Sequence, residues 1–229
     1  MTIPGPEGEG IDESSSTVHD EPPRVGYDFL FDFKAMVAEM RAHERIVEVY
    51  SRTFDPVPGF TIETIEHGLG LVIPKRIRSF YEVTDGLEFE WSYRDEDGEV
   101  RTGGGAHLWG FSRVFDVWLD RIWKTPEDAD VDEDFVWNLR GFDAFHRVET
   151  DEMVVLCVEE EYPTYDLFLH DPESSRSQLL ELSFVDYFNR LLDTRGVHGW
   201  QAIYGEEDRE AGDVAREVIE ELFPDVELP

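Results

Sequence analysis

A single cysteine, Cys157, occurs in the 229 residues, so no disulfide can close within the chain and no cysteine cage can hold a metal. It sits in the apolar run Val154–Val158 and reads as a small core residue of a buried strand rather than a nucleophile. Cations are scarce as well. Twenty Lys and Arg face 53 Asp and Glu, the lysines are Lys34, Lys75 and Lys124 alone, and the net charge is -33. Such a field repels DNA, RNA and anionic lipid, which argues against nucleic-acid and membrane partners. No run of about 18 apolar residues is present to span a bilayer, and Met1–Pro6 lacks a basic region leading into an apolar stretch. The expectation is a cytoplasmic protein.

Against these absences stand 41% hydrophobic and 13% aromatic residues, enough for a sizeable core despite the charge. Residues 1–26, rich in Gly, Pro, Ser and acids, read as a flexible acidic tail, leaving 27–229 as one domain. Phe33, Met36, Val37, Met40, Val47 and Tyr50 recur at helical spacing and predict one amphipathic helix over 29–50. A short helix begins at Thr61 with Gly68 placed to end it, and a third carries Ile77, Phe80 and Tyr81 before Asp85-Gly86. Leu87, Phe89, Trp91 and Tyr93 then alternate with Glu88, Glu90 and Ser92, a strand with one apolar and one wet face. Asp95–Gly98 turns the chain back into 99–102, and Gly103–Gly105 reads as a flexible or bulged stretch before a strand over 106–111. Further strands are expected at 152–159, 163–169 and 177–182, with a helical connection at 112–123 and an acidic loop at 126–134. Ser183, with Asp186 three residues on, caps a helix, and Ala211 to Leu222 mark another over 207–222. The pattern is α+β, a mostly antiparallel sheet of about six strands flanked by helices, without βαβα alternation.

Within that pattern, Glu63-x-x-Glu66, Leu69-Gly70-x-x-Ile73-Pro74, Ile77-x-x-Phe80-Tyr81 and Asp85-Gly86 follow one another, and Leu180–Phe188 closes the sheet with a Ser-Phe step into a helix. This ordered set resembles the SUKH superfamily over about residues 60–195, with Ile73 in place of the usual Leu. The helices at 29–50 and 207–222 look like additions to it. The resemblance implies a non-enzymatic protein-binding domain. Bacterial members are commonly immunity proteins that neutralise a toxin, often a nuclease, and fungal relatives act as scaffolds.

Catalytic constellations do not emerge. The seven histidines are scattered without helical zinc spacing, and no HExxH, Walker A loop or GxSxG is present. His170-Asp171, beside Pro172, reads as a turn, and Asp130, Asp132 and Asp134 lack the glycine and final glutamate of a calcium loop. No metal or cofactor is expected. The candidate partner-binding set is the hairpin: Glu88, Glu90, Trp91, Tyr93, Asp95, Glu96 and Asp97. In this reading the acids steer and pair with a basic protein and an aromatic supplies buried area. A solvated acidic face over core aromatics is the competing reading, as is an acid-rich surface adapted to a salt-loaded host. Three functions follow: an immunity protein facing a basic toxin, a scaffold or regulatory adaptor without one, and a carboxylate-using hydrolase of unrecognised kind.

Overall fold

The computed structural model describes residues 27–115, 138–144, 152–158, 165–172, 174, 176–205 and 209–228. The expected tail at 1–26, the connection beyond Phe115 with Trp118, Leu119 and Ile122, and the acidic loop at 126–134 lie outside the described residues.

Among the described residues, seven strands, one more than about six, form a single sheet in which each pairs antiparallel with its neighbour in sequence. They are β1 (Ile46–Thr53), β2 (Leu87–Arg94), β3 (Val100–Leu108), β4 (Leu139–Ala144), β5 (Met153–Cys157), β6 (Leu167–Asp171) and β7 (Arg176–Leu179). Helices α1 (Tyr27–Ala42), α2 (Gly59–Leu69), α3 (Lys75–Tyr81), α4 (Phe111–Phe115), α5 (Phe184–Asp193) and α6 (Arg209–Leu222) accompany it, with a 3-10 turn at Trp200–Tyr204. The fold is α+β, as the pattern predicts.

The helix expected over 29–50 is two elements. Phe29, Phe33, Met36, Val37 and Met40 form the buried stripe of α1, but Val47 and Tyr50 fall at helical spacing from Met40 by coincidence. A turn at His43–Arg45, closed by Ile46 N–H donating to His43 O at 3.2 Å, hands the chain to β1. There Ile46, Val47, Val49, Tyr50 and Thr53 are β-branched or aromatic, residues that suit a pleated surface. Similarly, the two strands expected over 99–111 are one, β3, which runs through all three glycines with a register shift opposite Trp91 and Ser92.

One face of the sheet carries the main core. Phe29 packs edge-on to Phe188 at 4.5 Å and Phe33 to Phe89 at 5.6 Å, while Phe142 meets Phe184 and Tyr187. These ring contacts join α1, the sheet and α5 into one aromatic block. The reverse face is divided. Over β4–β6 it is apolar and buried, with Leu139, Val155 and Cys157 packed against Met153 and Phe168. Over β1–β3 it is polar.

The motif residues do architectural work. Glu66 clasps the Leu69–Pro74 turn by accepting the Ile73 N–H at 2.9 Å, and its other oxygen faces Arg78 at 3.5 Å. Helix α2 runs through Gly68 to Leu69, and Gly70, left-handed at φ 67°, is the residue that ends it. Asp85 accepts the Phe111 N–H at 2.6 Å, binding the end of α3 to the start of α4. Ser183 and Asp186 form the expected reciprocal cap of α5.

Strands β3 and β4 meet only at Leu108 opposite Asp143. In the wedge that opens beyond that pair, Gly105 N–H donates to Gly196 O at 2.8 Å and His198 N–H to Gly103 O at 3.0 Å. The segment 196–198 thus substitutes for a strand. Glycine is required here: a Cβ on Gly104 would stand 2.0 Å from Gly196 O, and one on Gly103 would enter the Trp91 ring. Two substitutions test this account by urea unfolding. Gly104→Ala should cost on the order of 3 kcal/mol, because backbone must move. Gly68→Ala, in the last turn of α2 with open space around it, should instead stabilise, by a fraction of the roughly 1 kcal/mol that separates Gly from Ala in a helix interior.

Candidate functional site

Antiparallel pairing puts directly opposite residues on the same face. Tyr50 lies opposite Glu90, Glu48 opposite Ser92 and Arg52 opposite Glu88. On the other side of β2, Thr102 lies opposite Ser92 and His107 opposite Glu88. The polar reverse face of β1–β3 is therefore a carboxylate-rich row flanked by hydroxyls and imidazole. Tyr50 donates to Glu88 at 2.8 Å, and His107 Nε2 stands 3.9 Å from the same carboxylate. The hydrogen bond to Glu88 accordingly holds the Tyr50 phenol above its usual range.

A cleft of about 90 Å³ opens in this face. Its walls include Tyr50, Glu90, Ser92, Thr102, His107 and His198, over a floor of Gly104, Gly105 and Ala144. The space is open there because those residues have little or no side chain. His198 arrives from the segment that fills the β3–β4 wedge, and burial lowers its pKa, favouring a neutral ring.

The hairpin residues singled out in the sequence divide among three places. Glu88 and Glu90 face the cleft side. Trp91 and Tyr93 point the opposite way, 3% and 8% exposed. Trp91 donates its Nε1 proton to Arg195 O at 2.9 Å and packs edge-on to Phe223 beyond α6. Both rings are thus core, which corrects the expectation that they anchor a partner. The exposed aromatic on the acidic face is Tyr50, 42% accessible. Asp95 is a turn residue, accepting from Glu99 N–H and Arg101 Nε at 2.8 Å each. The Arg101 bond, the largest cause, lowers its pKa. Glu96 and Asp97 are exposed at the tip.

Sequence reasoning missed Tyr50, assigned there to a helix, and the placing of His107 and His198 at one cleft. No local signal marks that pair, since it depends on a segment 91 positions away bridging to β3. Among the described residues, no group of three or more His, Cys, Asp or Glu is arranged to hold a metal, and no helix is long and apolar enough to cross a membrane.

Behind the cleft lies a buried polar chain. Asp143, fully buried, accepts the His107 N–H at 2.7 Å and the Tyr187 O–H at 2.6 Å. Tyr187 in turn accepts from Gln201 Nε2 at 3.2 Å. Desolvation pushes Asp143 up to about 6, although both bonds act to lower it. His170, expected in a turn, ends inside β6 with Nδ1 2.7 Å from Ser177 Oγ. Its burial brings it down to about 4, so it stays neutral at pH 7.

No family model and no curated protein matches the chain.

The two buried groups act on stability in opposite senses. Asp143 has a folded pKa above its unfolded value of 3.8, so its contribution is complete below pH 3.8 and is lost as pH rises through about 6. His170, depressed from 6.5, contributes fully above pH 6.5 and loses that contribution as pH falls toward about 4. Asp143→Asn should remove the first of these. The stability of the variant relative to the parent should then rise with pH between about 4 and 6, by on the order of 3 kcal/mol. Urea unfolding at four pH values across that window measures it; a difference independent of pH would mean that Asp143 does not titrate there.

Proposed function

We propose that this chain is a protein-binding domain of the SUKH type, an immunity protein that neutralises a cognate basic toxin by covering it with the acidic face of β1–β3. The observation that carries the reading is this face. Among the described residues no helix of the main core lies upon it, and it presents Glu48, Glu88 and Glu90 around an exposed tyrosine. Sheet faces of this kind are ordinarily buried against another layer. One that is accessible, acidic and provided with a cleft suits a partner rich in arginine and lysine. A nuclease toxin fits best, because its groove is built for phosphates and carboxylates can occupy the same sites.

The motif residues support the same reading from another direction. Glu66, Gly70, Asp85 and Ser183 each close a turn or cap a helix, so the residues that carry the resemblance serve the scaffold and not a reaction.

A second reading, an adaptor without a toxin, draws on apolar exposure away from the acidic face: Phe31 is 74% and Phe60 71% accessible. Co-expression separates the two. An immunity protein rescues cells from one toxin and binds it stoichiometrically, whereas an adaptor captures a partner and rescues nothing. For the toxin complex, Glu96→Ser with Asp97→Ser at the hairpin tip should slow association severalfold at low salt and leave the dissociation rate unchanged. Stopped-flow mixing at two ionic strengths measures this, and an association rate insensitive to salt would remove steering by this face.

A further inference from the structure

We infer that two copies of this chain pair through the outer edge of β1, antiparallel about a two-fold axis at Tyr50, so that the sheet of one copy continues into the other. The inference goes beyond the proposed function and needs no toxin.

The edge is open and suited to pairing. β1 stands at one end of the strand order, and β7, at the other end, has four residues. Phe54 N–H donates to Gly86 O at 3.4 Å, and the same register runs without a shift from Thr53 opposite Leu87 to Glu48 opposite Ser92. Counted back in twos from Phe54, Arg52, Tyr50 and Glu48 turn their backbone groups toward β2. Val49, Ser51 and Thr53 therefore turn theirs outward, and no hydrogen bond from the described residues reaches those groups. Natural edges are blunted by proline, lysine or shortness. β1 has eight residues, none of them proline, glycine or lysine.

Three features select a second copy as the occupant. The first is charge in register. Placing Tyr50 opposite itself sets Glu48 opposite Arg52 of the second copy, and Arg52 opposite its Glu48. A two-fold centred on Val49 or Ser51 loses both pairs. The second is the ladder. With outward groups on Val49 and Ser51, these two residues exchange hydrogen bonds across the axis. Glu48, Tyr50 and Arg52 then fall in the non-hydrogen-bonded pairs, where opposite side chains come closest. The third is exposure. Glu48 and Arg52 are exposed and Tyr50 is 42% accessible, so the contact covers surface that a single chain leaves in water.

Arg52 lies over the Phe54 ring at 4.5 Å and near the Tyr50 hydroxyl. Directly opposite residues share a face, so Glu48 of the second copy arrives on the side where Arg52 already lies, and those contacts stay in place. Against pairing stands the mutual repulsion of two chains of charge -33, which salt screens.

The test follows the full-length chain by sedimentation equilibrium at about 0.3 M salt, where the Debye length is on the order of 5 Å. A contact of one strand is small, so the expected dissociation constant is on the order of 10–100 μM. Glu48→Arg and Arg52→Glu should each weaken the dimer about tenfold, because like charges then stand opposite in both symmetric pairs. The double variant should return to within about threefold of the parent, which also shows that neither exchange prevents folding. The two single exchanges move the net charge in opposite directions, so weakening by both separates the local pair from the overall field. Register is read by oxidising variants that carry one added cysteine, Cys157 being buried. Tyr50→Cys should cross-link the dimer, since the Cα atoms of such a pair stand about 4.5 Å apart. Glu48→Cys should not, because its two copies lie about 13 Å apart along the strands. A parent that stays monomeric at millimolar concentration would overturn the inference. So would single exchanges that leave the dimer unchanged or act in opposite directions, or cross-linking at position 48 as fast as at 50.

Discussion

Strands β3 and β4 share one residue pair and then part, and the chain segment that occupies the wedge between them organises much of the molecule. Neither strand can leave its backbone groups buried and unpaired. Gly103 and Gly105 therefore exchange hydrogen bonds with 196–198, and that exchange fixes where α5 ends and where the 3-10 turn begins. Beneath the closed end of the wedge, Asp143 ties the β3 backbone at His107 to Tyr187 of α5. The same event that closes the sheet also brings His198 to its polar face. Packing and the cleft thus share one cause.

How much of this could be read from residue order varies with the range of the interaction. Helices α3 and α5 and strand β2 were legible because their signals are local: an apolar stripe, a serine with an aspartate three residues on, strict alternation of Leu87 to Tyr93. The β1 strand was obscured because Val47 and Tyr50 happen to fall in phase with the stripe of α1, and only the turn at His43–Arg45 breaks that phase. Strand β4 gives no alternation, since it is buried on both faces and Gly141 interrupts it to admit the Trp109 ring. Of the acidic face, Glu88 and Glu90 were readable from their period of two. Which face would be covered was not, because burial of Trp91 depends on Arg195 and Phe223, more than 100 positions away. The glycine triplet shows the same limit. Its composition suggested a loose connection, whereas Gly103 and Gly104 are tightly confined by a ring and a backbone carbonyl that no local window contains.

Charge has two separate roles in this chain. Within the structure, acids are spent on particular donors: Glu66 on a turn, Asp85 on the start of a helix, Asp95 on a hairpin, Asp143 on a strand junction. Burial and geometry set their effect, and salt screens them little. Glu48 on the sheet face and Glu96 and Asp97 at the hairpin tip are exposed to water, and their influence extends over a Debye length only. On the proposed function, a surface of that kind speeds encounter with a basic partner, and salt weakens the effect.

The simple strand order has a consequence for how the chain reaches this structure. Because each strand pairs with the one before it, β3 can add to β2 and β5 to β7 can add in turn to β4 through short connections, whereas β1–β2 and β3–β4 close across the longer segments that carry α2, α3 and α4. Helix α6 is different. Its partners include the first turn of the domain, where Arg45 pairs with Glu221 and His43 meets Leu222 O. It also helps cover Trp91, through Phe223. Those contacts span some of the longest separations in sequence and form late, after the sheet exists to receive them. Until α6 docks, the apolar side of the first hairpin lacks part of its cover, so the interval before docking is when the chain is most prone to associate with other chains.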